Sequence, residues 1–377
     1  MPFIEQNPRS PMKFSINRDT LLPPLQQIVS VIEKKQTMQI LSNILMVIEA
    51  DTLTMTGTDL EIQIVSRLSV IGAQPGTATL PARKFLDICR LLPPNTEIRI
   101  EQQGDMVKLA TPRSRFSLSC LPAENYPEFA ESQMENCFTI SSGKLKKALD
   151  KTMFCMANQD VRYYLNGLLL HISNNALKLV ASDGHRLSIY EDELETPTGL
   201  EARIIVPRKG VQELSRLLDD GDEPLQVSFS SNHIRIEVHN AVFSAKLVDS
   251  KYPDFGKVFQ QSFLDPIAIP KPLLREALTR VAILANEKFR GVTFHFAADL
   301  LRINAHNPEH EEAEEELTID YGKGEFSISF NAQYMLDAVS NLEGDTAELT
   351  IASNLSSCFI NEPGQQVYKF IVMPMRL

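Results

Sequence analysis

The segment Asp183-Gly184-His185-Arg186 places a carboxylate, an imidazole and a guanidinium side by side, which are the groups that general acid–base catalysis uses. A nucleophile for such a pair would be expected in a recognisable motif, but the sequence contains no GxSxG segment. The phosphate-binding patterns GxxxxGK[ST] and GxGxxG are also missing. A hydrolase acting through Asp183 and His185 is therefore the weakest of the functional alternatives, and we predict that the chain is not an enzyme.

A second candidate for chemistry is the pair His306 and His310, which lie four residues apart beside glutamates. The surrounding segment NPEHEE is predicted to run from a loop into a strand, and the HExxH pattern of a helical zinc site is absent. The five cysteines are odd in number, scattered and without a CxxC pair, which argues against both a disulfide framework and structural zinc. We predict neither a metal nor a cofactor.

Basic residues recur on the predicted helices, although the whole chain is acidic with 37 basic and 48 acidic residues. Lys144, Lys147 and Lys151 form one helical stripe at i, i+3 and i+7. Other predicted helices carry Lys271 and Arg275; Arg83, Lys84 and Arg90; and Arg208, Lys209 and Arg216. The basic residues of any one helix are best explained as a solvated helix face. If all helices lie on the same side of the molecule, however, that side is basic and suits contact with a nucleic-acid phosphate backbone, independent of base sequence.

Two segments of opposite charge lie in the first and in the last third of the chain. RSRFSLS, residues 113–119, is a basic predicted strand, and EHEEAEEEL, residues 309–317, contains six glutamates in nine residues. The acidic segment could simply protect a sheet edge from aggregation. Alternatively, the two edges pair between two copies of the chain, and head-to-tail contacts of that kind can close a ring.

The elements that carry these residues repeat along the chain. Similar segments begin at Phe14, Phe138 and Ile267, and further recurring segments agree on a period of about 125 residues. These further segments are LPARKFLDICRLL, VPRKGVQELSRLL and FNAQYMLDAVSNL; LTMTGTD, LKLVASD and LRINAHN; and NYPEF with KYPDF. The period is that of a domain, so we predict three tandem copies of one domain.

Within each copy, two helical segments alternate with many segments of period two, which predicts an α+β domain with antiparallel strands and two helices on one face. Predicted helices include residues 142–153, 82–92 and 333–342, and Pro23 and Pro24 are placed in the first turn of the first helix. Because the other copies have Thr58-Asp59-Leu60 and His306-Asn307-Pro308 at the position of Asp183, that position is predicted to be a turn.

The length of 377 residues suggests two to four domains, and 43% hydrophobic residues suffice for real cores. No run of about 18 apolar residues is present, and the first ten residues lack the apolar core of a signal peptide. With its unpaired cysteines, the chain is predicted to be cytoplasmic, with no membrane partner.

The motifs SDGHRL, DVRYYLNG, VPRKG, NEKFRGV, NPEHEEAEEEL and VMPMRL, set in three tandem copies, closely resemble the bacterial DNA polymerase III beta subunit family, the sliding clamps. The resemblance divides the chain into an extension at 1–11 and clamp domains at 12–133, 134–258 and 259–377. It implies a ring-shaped homodimer with antiparallel sheets outside and the helices on the inner face. Such a ring encircles duplex DNA of any base sequence and acts as a processivity factor, which holds the polymerase on its template.

The resemblance also implies partners and contact residues. The partners are the replicative DNA polymerase, the clamp loader and other proteins with clamp-binding motifs. The implied DNA contacts are Lys35, Gln159, Tyr163, Tyr164, Arg208 and Lys209. The implied dimer contacts are Lys84, Arg113, Arg115, Phe116 and Leu118 against Ile283, Leu284, Glu309, Glu311, Glu312, Glu314 and Glu315.

By the same resemblance, a hydrophobic pocket for partner peptides is formed by the second and third copies. Its implied residues are Arg162, Tyr164, Leu165, Ser182, Gly184, His185, Arg186, Leu187, Pro253, Val258, Ser357, Ile371, Met373, Pro374, Met375 and Arg376. Methionines and leucines form an adaptable apolar groove, and arginines at its rim suit polar groups of a peptide. A repeat scaffold that binds only proteins remains the alternative from a different class.

Overall fold

The computed structural model describes residues 11–34, 38–129 and 133–376, so the predicted extension at 1–11 lies almost wholly outside the described residues. Within this part of the chain there are six α-helices and 25 strands, and every strand pair is antiparallel. None of these helices is long and apolar enough to cross a membrane.

The helices are α1 (Arg18–Val31), α2 (Ala82–Leu91), α3 (Ser142–Asp150), α4 (Arg208–Leu217), α5 (Lys271–Val281) and α6 (Ala332–Ser340). The strands of the first copy are β1 (Lys13–Asn17), β2 (Asn43–Glu49), β3 (Thr52–Thr58), β4 (Ile62–Ser69), β5 (Ile71–Gln74), β6 (Gly76–Pro81), β7 (Glu97–Gln103), β8 (Met106–Ala110) and β9 (Arg115–Ser119). Those of the second are β10 (Asn136–Ser141), β11 (Gly167–Asn174), β12 (Ala176–Ser182), β13 (Arg186–Glu193), β14 (Leu200–Pro207), β15 (Pro224–Phe229), β16 (His233–Val238) and β17 (Ala241–Lys246). Those of the third are β18 (Ile267–Pro270), β19 (Gly291–Ala297), β20 (Leu300–His306), β21 (Glu312–Thr318), β22 (Phe326–Asn331), β23 (Thr346–Ile351), β24 (Cys358–Asn361) and β25 (Tyr368–Val372).

The order of elements confirms the internal repeat. Each copy runs strand, helix, four strands, helix and three strands, and the first copy adds the short strand β5. The chain forms two compact units that do not follow the repeat boundaries. The first unit contains the chain up to Lys146 together with Lys209–Leu247, and the second contains Lys147–Arg208 with Val248–Leu377.

Each unit has one eight-stranded sheet that joins strands of two consecutive copies. In the first unit the order is β10-β15-β16-β17-β4-β3-β2-β6, and the pair β17–β4 joins the second copy to the first. In the second unit the order is β14-β11-β12-β13-β25-β24-β23-β18, and β13–β25 makes the same kind of junction. The remaining sheets are β5-β1-β7-β8-β9 in the first unit and β21-β20-β19-β22 in the second.

Helices cover the sheets with their apolar stripes. In the first unit α1 packs against α2 and against β3 and β4, and in the second α5 packs against α6, β20 and β21. Helix α2 buries Phe85, Leu86 and Cys89, much as its 3.6-residue period predicts.

The prediction for the start of α1 was wrong. The Asn17 side chain accepts a hydrogen bond from the Asp19 N–H and starts the helix at Arg18, one turn earlier than expected. Pro23 and Pro24 therefore lie inside the helix, where each lacks the N–H that would bond to the preceding turn. Leu21, Leu25 and Ile28 are completely buried, and we attribute the helix to this packing rather than to local propensity.

Candidate functional site

The predicted turn at residues 182–186, which we call the DGHR turn, is held together by its own side chains. The Ser182 hydroxyl accepts a hydrogen bond from the Gly184 N–H at 3.0 Å and donates one to the Arg186 carbonyl at 2.8 Å. Asp183 Oδ1 accepts from the N–H groups of His185 and Arg186 at 2.9 and 3.0 Å. The carboxylate that a hydrolase would use as a base is thus employed in shaping the turn.

Gly184 is the residue that lets the turn pass beside an arginine. Its φ of +89° lies in the left-handed region, and a Cβ at this position would lie 2.8 Å from a guanidinium nitrogen of Arg162. Arg162 in turn forms a two-point contact with Asp160 at 3.0 and 2.8 Å. The hydrogen bonding of its carboxylate to the Arg162 side chain lowers the pKa of Asp160 to about 2. Arg162, whose side chain is 44% exposed, is therefore fixed in direction while still open to a ligand.

Beside the turn lies an apolar cluster in the second unit that contains five of the predicted pocket residues, Leu165, Leu187, Ile371, Tyr164 and Val258. We call it the Leu187 cluster. Its other members, which are not marked by the sequence motifs, are Ala157, Leu169, Val180, Ile189, Ile205 and Tyr252 in the core and Val248, Phe255 and Phe359 at its edge. Tyr252 and Phe255 could have been found, since they flank Pro253 in the recurring segment KYPDF.

The junction between β13 and β25 brings the cluster together. Leu187 lies directly opposite Ile371, and the chain continues from β25 to Met373, whose N–H donates to the His185 carbonyl at 2.8 Å. Met373 is 38% exposed, so an apolar side chain stands at the surface beside the DGHR turn. Ser357 is fully buried, and its hydroxyl accepts from the Gln261 amide at 3.2 Å.

Not all of the predicted pocket residues meet there. After the half-buried Pro374, the Met375 N–H donates to the Ser329 carbonyl on β22. Met375 and Arg376 line a cavity of about 400 Å³ with Asn286, Phe289, Gly291, His306, Asn307 and Pro308. The last residues of the pocket set therefore line a separate concavity within the third copy.

Arg186 connects two copies of the repeat. Its guanidinium donates to Asp183 at 3.1 Å and to Asp337 on α6 at 2.5 Å, and it lies 4.4 Å from the centre of the Tyr334 ring. The side chain is 12% exposed, in contrast to that of Arg162. Arg186 thus holds the turn against α6 and offers little surface to a ligand.

The predicted DNA contacts have different surroundings. Gln159 and Tyr163 are exposed, Tyr163 to 62%, and Tyr163 meets the half-buried Tyr164 edge to face. Arg208 donates to the Met156 carbonyl at 2.7 Å, and burial lowers its pKa. Lys35 lies outside the described residues.

Lysines on the helices also pair within each unit. Lys209 contacts Asp59 and lies 3.0 Å from Glu33. In the second unit Lys147 and Lys151 both reach Glu343, at 3.0 and 3.2 Å. These pairs locally offset much of the positive charge that the sequence suggested for the helices.

The two segments predicted to form a dimer interface both lie at sheet edges. β9, with Arg115, Phe116 and Leu118, is the last strand of the five-stranded sheet, and β21 is the last strand of the four-stranded sheet. Arg113 and Arg115 are exposed, as is Lys84 on α2. Among the opposing candidates, Glu309, Glu311, Glu312 and Glu314 are exposed. Glu314 lies 3.5 Å from Arg302, and Glu315 pairs with Arg280 at 2.6 Å. Ile283 is 76% exposed next to the half-buried Leu284.

Three family models match the chain in tandem. They describe the N-terminal, central and C-terminal domains of the DNA polymerase III beta subunit and match residues 12–130, 139–254 and 256–376.

Curated and solved relatives agree with these matches. The beta sliding clamp of Salmonella typhimurium is 43% identical over 97% of this chain and 100% of its own length. That of Escherichia coli K12 is 42% identical over the same shares. The sliding clamp of Pseudomonas aeruginosa, solved bound to griselimycin, has 41% identity and a TM-score of 0.93, with 98% of this chain and 100% of that chain covered. The Bacillus subtilis clamp structure has 27% identity and a TM-score of 0.90, over 98% and 100% of the chains.

The matches show three tandem clamp domains of antiparallel sheets and helices, as the repeat predicted. The chain therefore belongs to the DNA polymerase III beta subunit family, the bacterial sliding clamps.

Proposed function

We propose that two copies of this chain close head to tail into a ring around duplex DNA, with the sheets outside and the helices inside. The ring tethers the replicative DNA polymerase and other DNA-processing proteins in the cytoplasm, and a separate clamp loader opens it. As a member of its family the chain is a processivity subunit and not a catalytic one. The observation that carries the proposal is that β9 and β21, of opposite charge, are both left at a sheet edge.

The two junctions inside the chain suggest how these edges pair. β9 occupies the same place in the first copy as β17 in the second and β25 in the third. β4, β13 and β21 are likewise equivalent to one another. β17 pairs with β4 and β25 pairs with β13, and among the strands of the described residues β9 and β21 have no corresponding partner. Pairing β9 of one chain with β21 of a second repeats the same junction twice and leaves neither edge open.

The ladders of the sheets identify equivalent residues on the first side of the junction. Ile100, Leu109 and Phe116 lie opposite one another across β7, β8 and β9. The corresponding rows are Val227, Ile236 and Phe243 in the second copy and Leu349, Ile360 and Phe370 in the third. Phe116 is therefore equivalent to Phe243 and Phe370.

The other side of the junction is aligned in the same way. Ile64 lies opposite Gly57, Ser188 opposite Ala181, and Ala313 opposite Ala305, and these three pairs occupy equivalent positions. Inside the chain, Phe243 pairs with Ile64, and Phe370 pairs with Ser188. By equivalence Phe116 pairs with Ala313 of the partner subunit, and the adjacent Arg115 pairs with Glu314 of the partner subunit.

This register is favourable on both faces of the sheet. It places Arg115, which is exposed, opposite a glutamate that is also exposed, and directly opposite charges on neighbouring strands attract. It places the half-buried Phe116 opposite the half-buried Ala313 on the other face. The exposed Ile283 gives the acidic end an apolar side chain that burial against Phe116 or Leu118 would stabilise.

For DNA, the proposal relies on the sum of many weak contacts. Paired lysines such as Lys147 and Lys209 still add positive potential near the helices, although each is partly offset by a carboxylate. Weak, exchangeable contacts to phosphates suit a protein that must slide. The exposed Tyr163 and Gln159 add polar contacts without sequence preference.

For partners, we propose that the Leu187 cluster is the floor of the peptide groove. Tyr164 and Val258 are half-buried at its edge, Met373 is exposed beside it, and Arg162 is held in place by Asp160 at the rim. An apolar floor with a few fixed polar groups is what a short peptide with apolar side chains requires.

The first experiment is the solution mass by light scattering of the wild type and of the double variant Arg115→Glu/Phe116→Ala. We expect a wild-type dimer of twice 42.3 kDa and a folded monomeric variant. Arg67→Glu, on the interior strand β4, is the matched control and should remain dimeric. A wild type that is monomeric at micromolar concentration would exclude the closed ring as the resting state.

A further inference from the structure

The first copy contains a turn that matches the DGHR turn bond for bond. The Thr58 hydroxyl accepts from the Leu60 N–H at 3.0 Å and donates to the Ile62 carbonyl at 2.7 Å. Asp59 Oδ1 accepts from the N–H groups of Glu61 and Ile62 at 2.9 and 2.8 Å. Each of these four hydrogen bonds has its counterpart in the DGHR turn, within 0.2 Å in length. The two turns are therefore the same structure in two copies.

The third residue of the turn differs. Gly184 has a φ of +89°, and the equivalent Leu60 has a φ of +78°. A bulky residue rarely adopts a positive φ, because its Cβ crowds the backbone, whereas glycine adopts it without penalty. A leucine kept in this conformation points to a use for its side chain that outweighs the strain.

The Leu60 side chain packs into an apolar cluster of Ile40, Leu41 and Tyr126, which we call the Tyr126 cluster. Its members are the equivalents of residues that form the proposed peptide groove. Ile40 and Leu41 follow a Met38 that corresponds to Arg162, and so they stand where the second copy has Tyr164 and Leu165. Tyr126 of NYPEF stands where KYPDF has Tyr252.

The groove of the first copy is therefore present in outline and covered. Leu41 is 2% exposed and Tyr126 is 8% exposed, and Leu60 packs against their cluster, as do Leu45 and Leu121. The equivalent residue of the second copy, Gly184, has no side chain, and a Cβ at this position would lie 2.8 Å from the guanidinium of Arg162.

We infer that Leu60 is a built-in plug, which occupies the first copy's version of the peptide groove and limits each chain to one apolar peptide ligand. The claim about the ligand count, which is the second half of the inference, rests on the proposed function of the Leu187 cluster. The first half of the inference, that Leu60 covers the Tyr126 cluster, can be tested without any ligand. The occupant of the groove is a side chain of the same chain.

The ligand-free test measures access to Leu41. Leu41→Cys places a thiol in the cluster, and its alkylation rate is compared with Leu60 retained, with Leu60→Gly and with Leu60→Met. We expect Leu60→Gly to accelerate alkylation at least tenfold, while Leu60→Met, which keeps the volume of the plug, leaves the rate within about twofold of the starting value. Equal rates for all three would overturn the plug.

The ligand count uses griselimycin, which the Pseudomonas aeruginosa relative binds, in isothermal titration. The groove lining differs at further positions as well. Gln63 lies opposite Ser244 where Leu187 lies opposite Ile371, and Lys246 follows Ser244 by two residues where Met373 follows Ile371 by two. The titration therefore compares Gln63→Leu/Ser244→Ile with and without Leu60→Gly. We expect one ligand per chain with Leu60 present and two with Leu60→Gly.

The possible results separate the two proposals. A wild type that binds no griselimycin counts against the peptide groove, and the alkylation rates then decide the plug alone. The third possible result is that the wild type binds one ligand and that Leu60→Gly accelerates alkylation but leaves the ligand count at one. Leu60 would then cover the cluster without limiting the number of ligands, and the inference would fail.

Discussion

The ammonium group of Lys209 lies 3.0 Å from Glu33 and contacts the carboxylate of Asp59, a side chain only 7% exposed. The same ammonium donates to the Val31 carbonyl at the end of α1. A residue whose sequence motif suggested contact with DNA is thus committed to joining the start of α4 to the first copy of the repeat. Charge on a helix surface and charge available to a phosphate are different quantities.

We predict that Lys209→Met lowers stability more than it lowers DNA affinity. The substitution leaves the Asp59 carboxylate nearly buried without its cation, which costs about 1–2 kcal/mol after allowance for the exposure of Lys209. For a unit of this size the loss corresponds to about 2–8 °C in the unfolding midpoint. Thermal unfolding and the salt dependence of DNA binding should be measured together.

The control for Lys209 is Lys34→Met, which removes the same charge from an exposed position nearby. It should leave the unfolding midpoint unchanged and weaken DNA binding slightly. If both variants lose only DNA affinity and neither loses stability, Lys209 is a phosphate contact after all.

Gly184 and Gly199 offer a matched pair for the role of the DGHR turn. Both have positive φ, +89° and +65°, but a Cβ at Gly184 meets the Arg162 guanidinium, whereas one at Gly199 meets nothing within 4 Å. We predict that Gly184→Ala and Gly199→Ala each cost about 1 kcal/mol of stability, because both force alanine into the left-handed region. Since a guanidinium can move aside, the added contact at Gly184 should cost little more in stability.

Binding should separate the two variants. Gly184→Ala displaces Arg162 from the rim of the proposed groove, so affinity for a partner peptide should fall about tenfold, or about 1.4 kcal/mol, while Gly199→Ala leaves it unchanged. Equal affinities in the two variants, measured by fluorescence anisotropy, would remove Arg162 from the binding site.

Met373 provides the most direct test of the groove. Because its side chain is 38% exposed, Met373→Asp should leave the fold and the dimer unaffected. It should nonetheless weaken binding of the replicative polymerase by about 10- to 100-fold, which corresponds to the roughly 1.5–3 kcal/mol of burying a methionine. Leu273→Asp, a similar change at an exposed position on α5, is the control. Surface plasmon resonance that shows equal losses for both would indicate a general charge effect.

Much of the fold could be predicted because it is repeated. A segment that occurs three times averages out local irregularities, so the three α+β copies and the turn at Asp183 were predicted correctly. The start of α1 was missed because Pro23 and Pro24 mark a first turn by local rules, whereas the burial of Leu21 and Leu25 in this copy overrides them.

The site was less predictable, for a physical reason. Which cation is open to a ligand depends on neighbours distant in sequence. Lys209 meets Asp59 across 150 residues and Arg186 meets Asp337 across 151, whereas Arg162 pairs with Asp160 and keeps its outer face exposed. The sequence motifs mark Lys209 as a DNA contact and Arg162 and Arg186 as pocket residues, and only the fold shows which of the three is open to a ligand. The equivalence of Leu60 and Gly184 was visible in the aligned segments, but its meaning depends on the backbone angle.

The register of the proposed interface can be tested by exchanging charges. Arg115→Glu places a glutamate opposite Glu314 of the partner subunit, and like charges directly opposite one another on adjacent strands repel. We predict that this variant shifts the dimer toward monomer by at least tenfold in dissociation constant. Adding Glu314→Arg in the same chain restores the opposite pair at both interfaces of a head-to-tail dimer and should recover most of the affinity.

The decisive control is the adjacent position on the same face of β21. Glu312→Arg makes the same change of charge two residues away, where it meets Ser117 in the predicted register, and should restore Arg115→Glu much less than Glu314→Arg does. Sedimentation equilibrium at low salt, where surface charges are least screened, gives the three dissociation constants. Equal rescue by both substitutions would mean that the acidic edge acts only through its overall charge, and better rescue by Glu312→Arg would shift the strands by two residues.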